Sequence, residues 1–189
     1  MNKTASRIMD IAESLLRTKG FQGFAFREIA NEIGIKSASV HYHFATKGEL
    51  VEAILVRYIE NFEAALLEAE QKLDSPSDRL EHYIKMYRTE FMDNKYTSLC
   101  IMLGADIDIL PEPVVQQLSS FYRLNLEWIS SQIEHAPNNL TANEIKQNSA
   151  HIQASLNGAL MGARSMEDAK YFDLVVDKVR QQYRLMLKA

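Results

Sequence analysis

The stretch Arg27-Glu28-Ile29-Ala30-Asn31-Glu32-Ile33-Gly34-Ile35-Lys36-Ser37-Ala38-Ser39-Val40 decides the fold. Ala30 is small, as needed where two helices cross closely. Gly34 follows four residues later, where a tight turn favours a residue without a side chain. Ile29, Ile33, Ile35 and Val40 supply the apolar contacts that lock a second helix onto the first. This is helix-turn-helix spacing, a pattern that also occurs in other helical pairs, so the flanking residues have to bear on the reading.

Outward from this stretch, strand signals are nearly absent. With 7 glycines and 4 prolines in 189 residues, long helices can run uninterrupted. Ile8, Ile11, Ala12, Leu15 and Leu16 follow the helical period and predict a helix over 4–19, stopped by Gly20. Short helices are expected over 27–33 and 37–44. A long one starts at Lys47, where Thr46 and Glu49 have capping-box spacing, and carries an apolar stripe from Leu50 to Leu73. Further helices are expected over 77–93, 97–108, 113–135, 142–164 and 168–187, with a second capping box at Thr141 and Glu144. The expectation is an all-α chain of about nine helices: a three-helix segment over 1–50, then a helical domain over 51–189.

Charge follows the same division. Residues 1–50 hold seven Lys/Arg and five Asp/Glu, a net +2, which leaves −6 for the rest of a chain whose formal charge is −4. A basic head on an acidic body suits a nucleic-acid reader with a separate second domain. It does not suit a non-specific architectural DNA protein, which depends on phosphate neutralisation. The single cysteine, Cys100, excludes an intrachain disulfide. Residues 1–7 lack the apolar core of a signal peptide, and no stretch approaches the roughly 20 apolar residues of a membrane span. The expected location is the cytoplasm, with no membrane association.

The outward face of the second short helix offers Ser37, Ser39, His41, Tyr42 and His43 to a major groove, and its small hydroxyls allow close approach to base edges. Gly20-Phe21, Arg27-Glu28-Ile29-Ala30, Gly34-Ile35 and Val40-His41-Tyr42-His43-Phe44, followed by Thr46-Lys47 and Leu50, together resemble the TetR family of regulators. The resemblance covers about a quarter of the chain. It implies three N-terminal DNA-binding helices and a C-terminal bundle for effector binding and dimerisation. It also implies base contacts from Ser37 to His43 and phosphate contacts from Arg27, Tyr42 or His43, and Lys47. Lys47 begins a helix whose free N–H groups favour a phosphate. The expected DNA-contacting set is Arg27, Lys36, Ser37, Ala38, Ser39, His41, Tyr42, His43 and Lys47. Two residues depart from the family pattern. Ala25 stands where many members have a hydroxyl cap, worth about 1 kcal/mol, and His41 stands where a tyrosine is usual.

Aromatic and methionine residues are frequent after residue 50, and such side chains suit a pocket for an apolar or aromatic ligand. Tyr87, Phe91, Cys100, Met102, Phe121, Trp128 and His151 are the candidate effector-binding residues. Each can equally be a core residue: Cys100 as a small inert apolar group rather than a sensor, His151 as a satisfied core histidine. Gly158 and Gly162, one turn apart, allow another helix to approach, and Val175, Val179 and Tyr183 can complete an apolar dimer face. Packing within one subunit is the alternative for the glycines. Asp106 and Asp108 fall on different helix faces, so no metal site is expected; nor is a cofactor.

These readings together point to a sequence-specific DNA-binding regulator. The expected form is a homodimeric repressor released from a double-stranded palindromic operator by a small-molecule effector, or by modification of Cys100. The competing reading is a small-molecule-binding or catalytic helical protein. No nucleophile–base spacing or glycine-rich phosphate loop supports an enzyme.

Overall fold

A computed structural model describes residues 2–94 and 98–186, without the side chains of 91–94 and 185. The regular structure among the described residues is all helical: α1 (Lys3–Lys19), α2 (Phe26–Ile33), α3 (Ser37–His43), α4 (Lys47–Lys72), α5 (Pro76–Asn94), α6 (Leu99–Ala105), α7 (Glu112–Glu134), α8 (Ala142–Met166) and α9 (Ala169–Met186). A 3₁₀ turn, Ile107–Ile109, follows α6. No helix among the described residues is long and apolar enough to cross a membrane. The chain packs as two compact units, one of residues 1–61 with 99–121 and the other of 62–98 with 122–189.

In the first unit, α1 turns its apolar stripe inward, so that Ile8, Ala12 and Leu16 have no solvent exposure. Leu50, Val51, Ile54 and Leu55 of α4 and Leu99, Cys100 and Leu103 of α6 are buried equally deeply. Two arginines add polar contacts at the edge of this core. Arg57 of α4 pairs with Asp10 at 2.7 Å and Glu13 at 3.0 Å on α1, and Arg17 lies over the Tyr58 ring at 5.4 Å. Partly exposed pairs of this kind contribute about 0.2–1 kcal/mol each.

One expectation fails at the end of α6. The helix predicted over 97–108 gives way to the 3₁₀ turn at Asp106, whose backbone sits at φ −99° and ψ 12°. The Asp106 carboxylate has another partner: its Oδ2 accepts from the backbone N–H of Phe21 at 2.7 Å, from a residue 85 positions earlier. That N–H lies just past α1, where Gly20 holds φ 72° and a Cβ would come within 2.9 Å of the same oxygen. Gly20 therefore serves both the turn and the close approach.

In the second unit, α5, α8 and α9 share a core that includes Tyr83, Ile84, Ile152, Leu156, Leu160, Phe172 and Val176. The expected capping box at the start of α8 is present: Thr141 Oγ1 accepts from the Glu144 N–H at 3.3 Å, and Glu144 Oε2 accepts from the Thr141 N–H at 2.8 Å. The Thr141 backbone donor holds the Glu144 carboxyl below its ordinary range. Arg88–Asp173 and Arg180–Glu81 tie α5 to α9. The α8–α9 reversal runs through Glu167 at φ 52°, a left-handed position filled without glycine.

The Asp106 contact gives a direct test. Asp106→Ala should lower the unfolding free energy by about 1–2 kcal/mol, and Asp106→Asn, which keeps an acceptor oxygen, should recover most of it. Urea unfolding of the three proteins measures this. Equal midpoints for the alanine variant and the parent would show that the hydrogen bond contributes nothing.

Candidate nucleic-acid interface

α2 has no side-chain cap at Ala25, as the sequence predicts, and ends on Gly34 in the left-handed conformation at φ 80° and ψ 34°. Gly34 and Ile35 both return their N–H groups to the Ala30 carbonyl, at 3.0 and 2.9 Å, which closes the turn. A side chain at Gly34 would meet no neighbour, so the requirement there is conformational rather than steric. The chain then enters α3 from Lys36, again without a side-chain cap.

α3 has seven residues, too short to be stable alone. Its anchor is Val40, which has no solvent exposure, set in a unit where Ile29 is also fully buried and Ala30 nearly so. With Val40 inward, Ala38, His41 and Tyr42 are exposed and Ser37, Ser39 and His43 half-buried. Tyr42 is 86% exposed, the most exposed large apolar side chain among the described residues. His41 rests against the Phe26 ring at 4.7 Å, and His43 meets the Tyr42 ring edge-on at 5.3 Å. Arg27 and Lys36 are exposed and meet no carboxylate among the described residues, whereas Lys19 is paired with Glu28. The sequence-predicted set therefore lies in one unit, on α2, α3 and the start of α4.

Lys47 is placed differently from its neighbours. Its Nζ donates to the Phe24 carbonyl at 2.5 Å and lies over the Phe24 ring at 4.1 Å and the Phe21 ring at 5.2 Å. Partial burial lowers its pKa. The ammonium thus ties the start of α4 to the segment before α2, next to the uncapped Ala25. Sequence reasoning missed this side-chain role; the signal for it was the pair Phe21 and Phe24 upstream. Half of the capping box expected at Thr46 and Glu49 forms: the Glu49 N–H donates to Thr46 Oγ1 at 3.1 Å, while the Glu49 carboxylate accepts from the Ala45 N–H at 3.0 Å rather than from that of Thr46.

The candidate effector residues are distributed over both units. Tyr87 and Trp128 are buried in the second, where Tyr87 shares a hydrogen-bonded cluster with Tyr83 and Asn125. Sequence reasoning did not select Asn125, because a single polar residue in a helix gives no sign of burial. Cys100 and Phe121 are buried in the first unit, and Met102 is half-buried there. The Phe91 side chain lies outside the described residues. His151 is exposed rather than in the core, with Nε2 at 3.1 Å from Gln182 Oε1. Among the candidate dimer residues, Val179 and Tyr183 are buried within their own unit and Val175 is half-buried. A Cβ on Gly162 would lie 2.2 Å from the Tyr171 ring, so this glycine has a reason within the subunit, whereas Gly158 faces open space.

Comparison with known proteins bears on the interface just described. Residues 8–54 match the model of the bacterial regulatory proteins of the tetR family. A solved TetR-family regulator from Agrobacterium tumefaciens superimposes with a TM-score of 0.87 at 26% identity, covering 94% of this chain and 96% of that one. A TetR regulator from Legionella pneumophila gives 0.87 at 25% identity over 99% and 98%. Residues 8–54 therefore match the N-terminal segment of the TetR family, and the chain as a whole shares the fold of solved TetR-family regulators. The repressor KstR2 of Mycobacterium tuberculosis is 26% identical over 81 residues, 43% of this chain. That match spans about 40% of the relative's own length. The family match contains α2, α3, the start of α4 and every predicted DNA-contacting residue.

The placement of the Lys47 ammonium is testable without DNA. Lys47→Met keeps the aliphatic stem and removes the charge. It should cost about 1–2 kcal/mol of unfolding free energy through the lost carbonyl contact and cation–π pair. An unchanged denaturation midpoint would place the ammonium in solvent.

Proposed function

We propose that this chain is a sequence-specific DNA-binding transcriptional regulator of the TetR family, a cytoplasmic homodimeric repressor that leaves its operator when a small-molecule effector binds. The observation that carries the reading is the state of α3: Val40 is wholly buried while Tyr42 is 86% exposed, and the exposed cations Arg27 and Lys36 meet no carboxylate among the described residues. In this reading residues 1–50 contact DNA and residues 51–189 hold the effector site and the dimer face. Ser37, Ala38, Ser39 and His41 face base edges, and Arg27, Lys36, Tyr42 and His43 face phosphates. The free backbone N–H groups at the start of α4 take a further phosphate at Lys47.

Regulation follows from linkage. An effector that favours one arrangement of the DNA-reading helices shifts affinity only by its differential binding to the two states. A small molecule is a better trigger here than modification of Cys100, whose thiol is fully buried and so shielded from oxidants. Regulation by binding also needs no catalytic group, so no enzymatic activity is proposed.

Selection of genomic fragments by the purified protein at physiological salt tests the reading. The expected result is a palindrome whose half-sites are about one helical turn, roughly 34–36 Å, apart. Recovery of no preferred sequence, with and without candidate effectors, would overturn it. On the selected site, Arg27→Ala and Lys36→Ala should weaken binding to all sequences and reduce the salt slope by about one each, while Ser39→Ala should alter base preference.

The dimer face proposed for α8 and α9 centres on Gly158, Met161, Leu174 and Val175. Leu174 is 71% exposed, and a Cβ added at Gly158 would meet no described atom within 4 Å. Gly158→Leu should raise the dimer dissociation constant at least tenfold in sedimentation equilibrium. Gly162→Ala should instead lower the stability of the subunit itself, because Tyr171 occupies that space. Unchanged self-association of the leucine variant would move the interface elsewhere.

A further inference from the structure

The core of the second unit holds more hydrogen-bonding chemistry than packing requires. Asn125 of α7 has no solvent exposure. Its Oδ1 accepts from the Tyr83 hydroxyl at 2.6 Å and from the Tyr87 hydroxyl at 3.4 Å, and the two hydroxyl oxygens are 3.1 Å apart. One turn along α7, Trp128 stacks on the Tyr83 ring with centroids 5.2 Å apart and planes 26° from parallel. Phe62 meets Tyr83 edge-on at 6.2 Å. All five residues belong to the same unit.

Trp128 is the residue this arrangement leaves incomplete. Its side chain is buried, with 8% of the residue exposed, and its Nε1–H has no hydrogen-bond partner among the described residues. A buried donor without an acceptor costs about 1–3 kcal/mol, a cost an apolar residue of similar shape would avoid. The indole nitrogen can only donate, so whatever completes it must present an acceptor atom. The flanking faces are aromatic rings, which favour a flat, apolar partner in offset-stacked or edge-on contact. Burial also pushes the Tyr83 hydroxyl well above its ordinary pKa, as low-dielectric surroundings do, and such surroundings penalise a charged ligand.

We propose that the Phe62–Tyr83–Tyr87–Asn125–Trp128 cluster binds a neutral, planar aromatic carbonyl compound whose oxygen accepts the Trp128 indole N–H. The proposal rests on the reading of the C-terminal helices as the effector-binding part, and it adds the chemical class of the effector and the residue that selects it. Asn125 positions the two tyrosines; Trp128 makes the specifying contact.

Trp128 is the chain's single tryptophan, so its emission reports on this site alone. The probes are 9-fluorenone and fluorene, two flat molecules of nearly the same shape that differ in a carbonyl oxygen. Titrated into the full-length protein, fluorenone should quench Trp128 saturably and bind at least tenfold more tightly than fluorene, about 1.4 kcal/mol for one hydrogen bond. In Trp128→Phe, which keeps a ring but loses the donor, equilibrium dialysis should show the two probes binding equally. Lys85→Ala, on the exposed side of α5 and outside the cluster, should keep fluorenone's advantage. Equal binding to the parent protein, an advantage that survives in Trp128→Phe, or no binding of either probe would overturn the proposal; the last result would assign the indole donor to an ordered water. Operator anisotropy separates this from the regulatory reading. Fluorenone that saturates the site without changing operator affinity supports the site and defeats its role as the effector site. A compound that releases the operator without touching Trp128 emission supports regulation and defeats the site.

Discussion

The burial of Val40 is the constraint on which the rest of the DNA-reading unit depends. A seven-residue helix has too few internal hydrogen bonds to hold itself, so α3 exists only because its one fully apolar position is sunk into the unit that α1 and α2 build. Because helical side chains recur every 3.6 residues, fixing Val40 inward also fixes which residues face out: Ala38, His41 and Tyr42 in full, Ser37, Ser39 and His43 in part. Gly34 makes this possible by reversing the chain in a left-handed conformation that most residues would resist.

Long-range contacts hold the edges of that unit. The α1 exit is fastened to Asp106, on a segment far away in the chain, and the α4 start is fastened to Phe24 through the Lys47 ammonium. Both fasteners use a charged group on a backbone atom, which is stronger than a neutral pair and insensitive to the identity of the side chain it meets. Both hold the segment that leads into α2, whose start at Ala25 has no side-chain cap. The loss of a hydroxyl cap there is offset by contacts that a single-helix reading does not contain.

The second unit follows a different logic. Its core is not a uniform apolar fill but contains a tyrosine–asparagine cluster and a stacked tryptophan with an unanswered donor. A buried polar network of this kind specifies a unique core where every member is satisfied, and here the indole donor has no acceptor among the described residues. Gly158 and Leu174 stand out on the surface of the same unit for the opposite reason: they are apolar or bare where no described residue covers them.

Much of this was legible in the sequence, because it rests on short-range rules. Helical periodicity, the Thr141–Glu144 capping box, the Ala30–Gly34 spacing and the missing cap at Ala25 are local properties, and the structure contains each of them. Long helices could be read because few glycines and prolines interrupt them. What tertiary structure alone decided are the pairings between distant residues. The early end of α6 at Asp106, the inward turn of Lys47, the placement of His151 on the surface and the burial of Asn125 depend on partners 23 to 85 positions away, or on a burial that one helix does not encode. The sequence determined which residues are helical and which face of α3 is free, since both follow from backbone geometry and one apolar anchor. The structure decided where the polar side chains go, since a charge or an amide takes whichever partner the packed chain brings within about 3 Å.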